Sequence, residues 1–470
     1  MKTGKAGRGS KFAYVLGAIA FGVKDNGFTT FLMIYYNQVL GLSAFYTGLA
    51  ILIALAVDAL SDPYVGHLSD NWKSKWGRRH PFMYAAIFPI ALTYFFLWNP
   101  PADTTQMTLF VYLVTMAVGV RLLITFFEVP NSAMIAELAS EYDERTSLAS
   151  QRVTVGWLGG VCIAIAAYVV FLVPTEEYAK GVLNKEGYQN FAFLAAVVMT
   201  ISMLVSAIGT HKLIRFLPQA QSTTGNKQKF LRNIKILFSN TSFRSLFAAF
   251  LFSMMAFGVI ITLQIYYATY FFGMTTKEIS LFPVFMVLAA LISMAVTPFL
   301  SKGREKKSVL KMLTLLAFLL SNLTIIARLM GWLPDNGDPL LLPILLAHIL
   351  VSTAVMVAQQ SLFSSMTADL VEDTERQAGH RLEGLYFATV SFSKKIVSGL
   401  GIFASGVFLS SAGETGQQMS GSIMTEVSYY YIPFVFILYA ATYVFAGRYV
   451  LNREQHEANL KIVRGSQMAE

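Results

Sequence analysis

The chain has 470 residues, of which 55% are hydrophobic and only 13% charged, and its formal net charge is +9. Soluble domains carry about twice that share of charge, and a soluble chain of this length would divide into two or three domains joined by polar linkers. The basic residues fall between apolar blocks and form no patch of their own, so they read as membrane orientation and set nucleic acid aside as a partner. The one cysteine, Cys162, lies inside an apolar block, which excludes an internal disulfide and a cysteine metal site.

The apolar blocks reach the length of about 18 residues or more that crosses a bilayer. They predict spans at 12–39, 44–69, 81–99, 106–135, 150–173, 189–210, 243–272, 279–301, 308–330, 341–366, 384–411 and 428–450. The blocks are continuously apolar, whereas barrel strands would alternate. They are therefore read as helices, which satisfy their backbone groups within lipid. The first block carries Lys24 and Asp25 and has no small-residue cleavage signature, so it reads as a span and not as a removable signal.

Orientation follows from the turns. With the N-terminus inside, the inner segments hold Lys2, Lys5, Arg8 and Lys11, then Lys73, Lys75, Arg78 and Arg79, then Lys212, Arg215, Lys227, Lys229, Arg232 and Lys235, then Lys302, Arg304, Lys306 and Lys307. The outer turns hold few: Lys180, Lys185, Lys277 and Arg328. This bias places both termini inside a cytoplasmic membrane and requires an even number of spans.

The one long polar link, 211–242, separates six spans (1–210) from six (243–452), and a basic tail (453–470) follows. An internal repeat accompanies this division. Ala136-Glu-Leu and Tyr142-Asp-Glu-Arg145 follow span 4, while Ala368-Asp-Leu and Asp373-Thr-Glu-Arg376 follow span 10. Span 2 ends in Ser61-Asp-Pro63 and span 8 in Val296-Thr-Pro298. The expected fold is all-α: a major facilitator arrangement of twelve transmembrane helices in two pseudo-symmetric six-helix bundles.

Charges at membrane depth mark ion or solute paths. Asp58 and Asp62 are spaced i, i+4 and share one helix face. Two ionised carboxylates that close repel unless a cation or proton sits between them, and hard cations favour oxygen ligands. Thr125 and Glu128, at i, i+3 in span 4, add a hydroxyl and a carboxylate. The alternative is that Asp62 helps the helix exit and Asp58 pairs with a lysine. Ser293 and Thr297 stand at the matching places in span 8, so the acidic pair is confined to the first half.

These residues closely resemble the glycoside–pentoside–hexuronide:cation symporters of the major facilitator superfamily. The resemblance is carried by Gly22-Val-Lys-Asp25, Asp58-Ala-Leu-Ser-Asp-Pro-Tyr-Val-Gly66, Trp76-Gly-Arg-Arg-His-Pro81 and Glu128-Val-Pro130. It continues through Tyr142-Asp-Glu-Arg145 with Arg152, and Ala368-Asp-Leu with Arg381, Glu383 and Gly384. It implies a coupling-cation site (Na⁺ or H⁺) at Asp58, Asp62, Thr125 and Glu128, and sugar contacts from Asp25, Glu128 and Arg152 with Lys24 beside them. Lys395 is implied near the cation site. Two departures stand out: Ser132 replaces a sugar-stacking tryptophan, and Arg121 replaces a small residue, two turns before Glu128 on the same face. Both are compatible with an anionic solute; alternatively Arg121 pairs with Glu128 or Asp25.

Gln264, Gln359 and Gln360 are candidates for hydroxyl contacts, and Tyr35, Tyr36, Tyr266, Tyr267, Tyr270 and Tyr386 for cavity lining or packing. Asp70, Lys73, Arg78, Arg79, Glu137, Asp143, Glu144, Arg145, Asp369, Glu375, Arg376, Arg381 and Glu383 are expected to form an inner ionic gate. The functional expectation is a monomeric secondary symporter, not an enzyme, that takes up a sugar, glycoside or hexuronide with a cation by alternating access and needs no cofactor. A lysolipid or amphiphile symporter and a drug–proton antiporter are the alternatives. No Gly-rich phosphate loop or metal-spaced histidines point to catalysis.

Overall fold

The computed structural model describes residues 7–139, 142–214, 227–378, 383–413 and 419–451. Among them every regular element is helical. The first span begins with Arg8–Leu16 and continues as α1 (Ala18–Asn26) into the π turns Gly27–Phe31 and Tyr35–Val39. The helices α2 (Ala44–Asn71), α3 (His80–Leu97), α4 (Gln106–Ala133), α5 (Tyr142–Ala166) and α6 (Lys185–His211) follow. The later half supplies α7 (Thr241–Tyr266), α8 (Leu281–Ser301), α9 (Lys306–Ser321), α10 (Leu341–Ala378), α11 (Glu383–Ser411) and α12 (Gly421–Gly447).

Eleven helices among the described residues are long and apolar enough to cross a bilayer. The first predicted span is not among them: a turn breaks it at Gly17, and Lys24, Asp25 and Asn26 lower the apolarity of the run that follows. The largest boundary difference is in α10, which runs to Ala378, well past the predicted end at 366. Its polar extension holds no glycine or proline to stop it, and a helix outside the hydrocarbon needs no apolar face.

Contacts divide the chain into two compact units. The first comprises Met1–Thr223, Ile261–Pro283 and Ser405–Ile423, and the second Thr224–Ile260, Val284–Ala404 and Met424–Glu470. In the first, α2 packs on α4, α4 on α3, α3 on α6, and α1 on α5. Lipid tails are as apolar as leucine, so helix association depends on close backbone approach. Glycine provides it here. A Cβ at Gly22 of α1 would lie 1.7 Å from the Gly156 carbonyl oxygen of α5, and one at Gly160 would lie 2.5 Å from the Gly22 carbonyl oxygen. An aromatic cluster closes one end of this unit, with Trp98 and Tyr188 stacked at 5.7 Å and Phe31, Tyr168 and Phe191 around them.

The second unit has its own core, in which Phe243, Phe250, Leu310, Leu362, Met366 and Tyr386 are buried together. Here α7 and α11 meet as α1 and α5 do. A Cβ at Gly258 would lie 2.4 Å from the Ser398 carbonyl oxygen, and one at Gly401 2.4 Å from that of Met255. The glycine contact thus recurs six helices later, in the pair corresponding to α1 and α5. Large apolar side chains face outward in both units, Phe88 and Phe193 in the first, Met294 and Phe299 in the second, the last 78% exposed. Such a surface is stable only where hydrocarbon replaces water.

Gly22→Ala forces its methyl into the α5 backbone. It is expected to destabilise the protein by about 1–3 kcal/mol, read as a lowered melting temperature in detergent. An unchanged melting temperature would contradict the backbone contact.

Candidate ion and solute site

The long α2–α4 contact brings the acidic face of α2 onto one side of α4. Asp58 is buried, with 3% of its surface exposed. Its carboxylate Oδ2 accepts from Arg121 Nη1 at 2.9 Å. Thr125, one turn along α4, has its hydroxyl 3.2 Å from Asp58 Oδ1, 3.1 Å from Asp62 Oδ1 and 2.9 Å from the Arg121 carbonyl oxygen. A hydroxyl carries a single proton, so Thr125 donates to one of these oxygens at a time. The Arg121 guanidinium lies over the Phe28 ring at 4.6 Å, and its Nε is buried with no hydrogen-bond partner among the described residues.

The sequence pattern therefore assembles three of its four expected cation ligands: Asp58, Asp62 and Thr125. Glu128 does not join them. Its carboxylate pairs with Arg152 of α5, and its Oε2 is buried without a hydrogen-bond partner among the described residues. Arg152 is further placed by Asn131, whose Oδ1 accepts from Nε at 3.4 Å, and by the Tyr14 ring at 5.9 Å. Asn131 is fully buried and donates to Ser206 Oγ at 2.9 Å, so α6 fixes the group that orients Arg152. Arg121 pairs with neither carboxylate foreseen for it, Glu128 or Asp25. The α2–α4 contact places Asp58 within its reach, and helix spacing on α4 alone could not reveal that.

Lys24 is buried beside Phe21, its ammonium 4.2 Å from the ring centroid and 3.5 Å from Asp25 Oδ1, while the Asp25 side chain is half exposed. Of the residues expected to meet solute, Glu128 and Arg152 are only partly buried and Gln264 is half-buried in the same unit. Gln359 corrects the expectation. It lies in the second unit with no exposed surface, accepting from Ser253 Oγ at 3.0 Å and donating to Thr314 Oγ1 at 2.8 Å, so its amide serves packing. Lys395 is half-buried in the second unit. Ser293 and Thr297 of α8 bond to each other at 3.3 Å, an uncharged counterpart to the α2 acids.

Some gate residues are paired locally: Asp70 with Arg79 at 3.6 Å, Glu144 with Lys11, and Asp369 with Lys306 at 2.7 Å. Arg145 donates to the Ala139 carbonyl at 2.8 Å, and Arg78 is half-buried. The side chains of Glu137, Asp143, Glu375, Arg376, Arg381 and Glu383 lie outside the described residues.

A polar cluster that sequence reasoning missed sits at the Tyr35–Val39 end of the first span. Tyr266 donates to Asn37 Oδ1 at 2.9 Å, Tyr270 to Gln38 Oε1 at 3.0 Å, and Gln38 to Asn37 Oδ1 at 2.6 Å. Lys180 caps it, 4.2 Å from the Tyr270 ring and bonded to the Thr269 carbonyl oxygen at 3.3 Å; burial lowers its pKa from the usual lysine value. Tyr266 and Tyr270 are buried, and their hydroxyls tie this segment to the first span. The available signal was the Asn-Gln pair inside an apolar block, with tyrosines spaced i, i+4 in span 7. Tyr35 and Tyr36 are packing residues too, donating to the Trp98 and Leu97 carbonyl oxygens.

Comparison with known proteins gives a consistent picture. A family described as MFS/sugar transport protein matches residues 13–453. The chain is 25% identical to the isoprimeverose transporter of Lactiplantibacillus pentosus, covering 90% of this chain and 85% of that protein. It is 24% identical to the sodium-dependent lysophosphatidylcholine symporter 1 of Gallus gallus, over 86% and 79% of the two chains. Its fold matches a crystal structure of a D-xylose-proton symporter with a TM-score of 0.63 and 13% identity, over 94% and 97%.

A double-mutant cycle on Asp58→Asn and Arg121→Gln, followed by thermal unfolding, is expected to give an interaction energy of about 0.5–3 kcal/mol, as for residues in one network. Additive effects would separate the two residues.

Proposed function

We propose cation-coupled import of a small polar solute, a sugar, glycoside or hexuronide, for this chain, which belongs to the MFS/sugar transport protein family and is a membrane transporter of many spans. The observation that carries this reading is the pair of charged arrays on a single helix. Arg121 and Thr125 of α4 meet the α2 acids, and Glu128, one turn further, meets Arg152. A buried carboxylate oxygen with no partner is costly unless a donor arrives, and Glu128 Oε2 is such an acceptor. A sugar hydroxyl is the matching donor, and Arg152 beside it suits an oxygen-rich or anionic substituent.

Coupling follows from the shared helix. A cation that neutralises the α2 carboxylates changes the field and the position of α4, and α4 carries the solute-facing carboxylate. The linkage is reciprocal: whatever factor the cation adds to solute affinity, the solute adds to cation affinity. The site is then open to one side of the membrane at a time, with both termini on the cytoplasmic side, as the basic turns require. Lys24, Asp25 and Arg152, three charges in the first unit, favour a polar solute over an amphiphile, which would need a long apolar wall.

The test is uptake of labelled glycosides, pentosides and hexuronates into vesicles with an imposed Na⁺ or pH gradient. At least one class should accumulate. Asp58→Asn and Asp62→Asn should abolish accumulation, and Glu128→Gln should raise KM by about tenfold or more, the loss of one hydrogen bond to a charged group. Gradient-independent behaviour towards every class would overturn the reading, and lysolipid uptake would redirect it to the amphiphile branch.

A further inference from the structure

We propose that Arg121 is a fixed counter-cation standing where a coupling sodium ion would otherwise sit, so that this transporter neither binds nor requires Na⁺. The inference rests on the symport reading above and names which ion the site refuses. Sodium prefers several converging oxygens, and the sequence offers four: Asp58, Asp62, Thr125 and Glu128. Two of these are held by arginines. Asp58 Oδ2 is 2.9 Å from Arg121 Nη1, and Glu128 is paired with Arg152.

The guanidinium cannot leave by deprotonation, since arginine stays charged in proteins. Nor does it lie at a surface where water screens it. Arg121 and Asp58 are each 3% exposed, Thr125 is 2% exposed, and the Phe28 ring covers the guanidinium face. A sodium ion bound to the Asp58 carboxylate would share that oxygen pair with a permanent positive charge in a poorly screened site. Asp58 is therefore tolerated at this depth because α4 brings its own cation to it.

The experiment uses the purified full-length protein without solute, at constant ionic strength, with choline exchanged for Na⁺. It reads equilibrium ²²Na⁺ binding and the melting temperature. The wild type should show no saturable binding and no sodium-dependent shift. Arg121→Gln, which removes the charge but keeps most of the volume, should gain saturable binding and be stabilised by Na⁺, with affinity raised roughly tenfold or more once the like charge is gone. Arg121→Ser, purified in Na⁺ throughout, serves if the glutamine variant does not fold. Arg121→Lys should stay blind to sodium, which separates charge from shape. Saturable Na⁺ binding by the wild type, lost in Asp58→Asn, would overturn the proposal, as would a folded neutral variant that gains no sodium response. Because no solute is present, such a failure leaves the transport reading untouched; failure of uptake leaves the sodium result standing.

Discussion

The first unit is organised around one requirement: a carboxylate buried among apolar helices must have a positive partner. Removing either member of a buried ion pair leaves an uncompensated charge and typically costs about 3–5 kcal/mol. Asp58 meets the requirement with Arg121 across the α2–α4 contact. Glu128 meets it with Arg152, whose side chain extends from α5, and within α1 the buried Lys24 is in turn paired with the half-exposed Asp25. The close backbone packing of α1 on α5 at Gly22, Gly156 and Gly160 holds this frame, because helices kept apart by side chains would not stay in register for hydrogen bonds near 3 Å.

The pairs differ in what surrounds them. Asp58 and Arg121 are closed off, with their contacts made by protein groups. Glu128 and Arg152 retain some exposure and an acceptor oxygen without a hydrogen-bond partner among the described residues, and Asp25 is half exposed. One array is thus closed around a balanced charge, and the other is partly open. Thr125 stands between them on α4, with a single hydroxyl proton and three oxygens within reach. Such a group converts a small change in local charge into a different hydrogen bond, and that is the kind of discrete alternative that coupling needs.

Much of this was legible in the sequence. Block length and continuous apolarity gave the helices, since hydrocarbon permits few other structures. The i, i+4 spacing of Asp58 and Asp62 put both on one face, and the i, i+3 spacing of Thr125 and Glu128 put both on α4. What spacing could not reveal is which helix lies opposite. Arg121 and Glu128 share a face of α4, yet the first meets α2, which packs on α4, and the second meets Arg152, whose long side chain extends from α5. Gln359 shows the same limit: a polar residue in a span reads alike whether it awaits a solute or bonds Ser253 and Thr314. The polar cluster of Asn37, Gln38, Tyr266 and Tyr270 depends on segments more than 200 positions apart, for which local pattern holds no record.

The central requirement is that the positive charge beside Asp58 comes from within the chain. An electron cryomicroscopy map of the protein in lipid nanodiscs, prepared in sodium-containing buffer, tests it most directly. The account predicts guanidinium density of Arg121 in contact with the Asp58 carboxylate and no ion peak among Asp58, Asp62 and Thr125. An ion coordinated there, with Arg121 turned away, would contradict it.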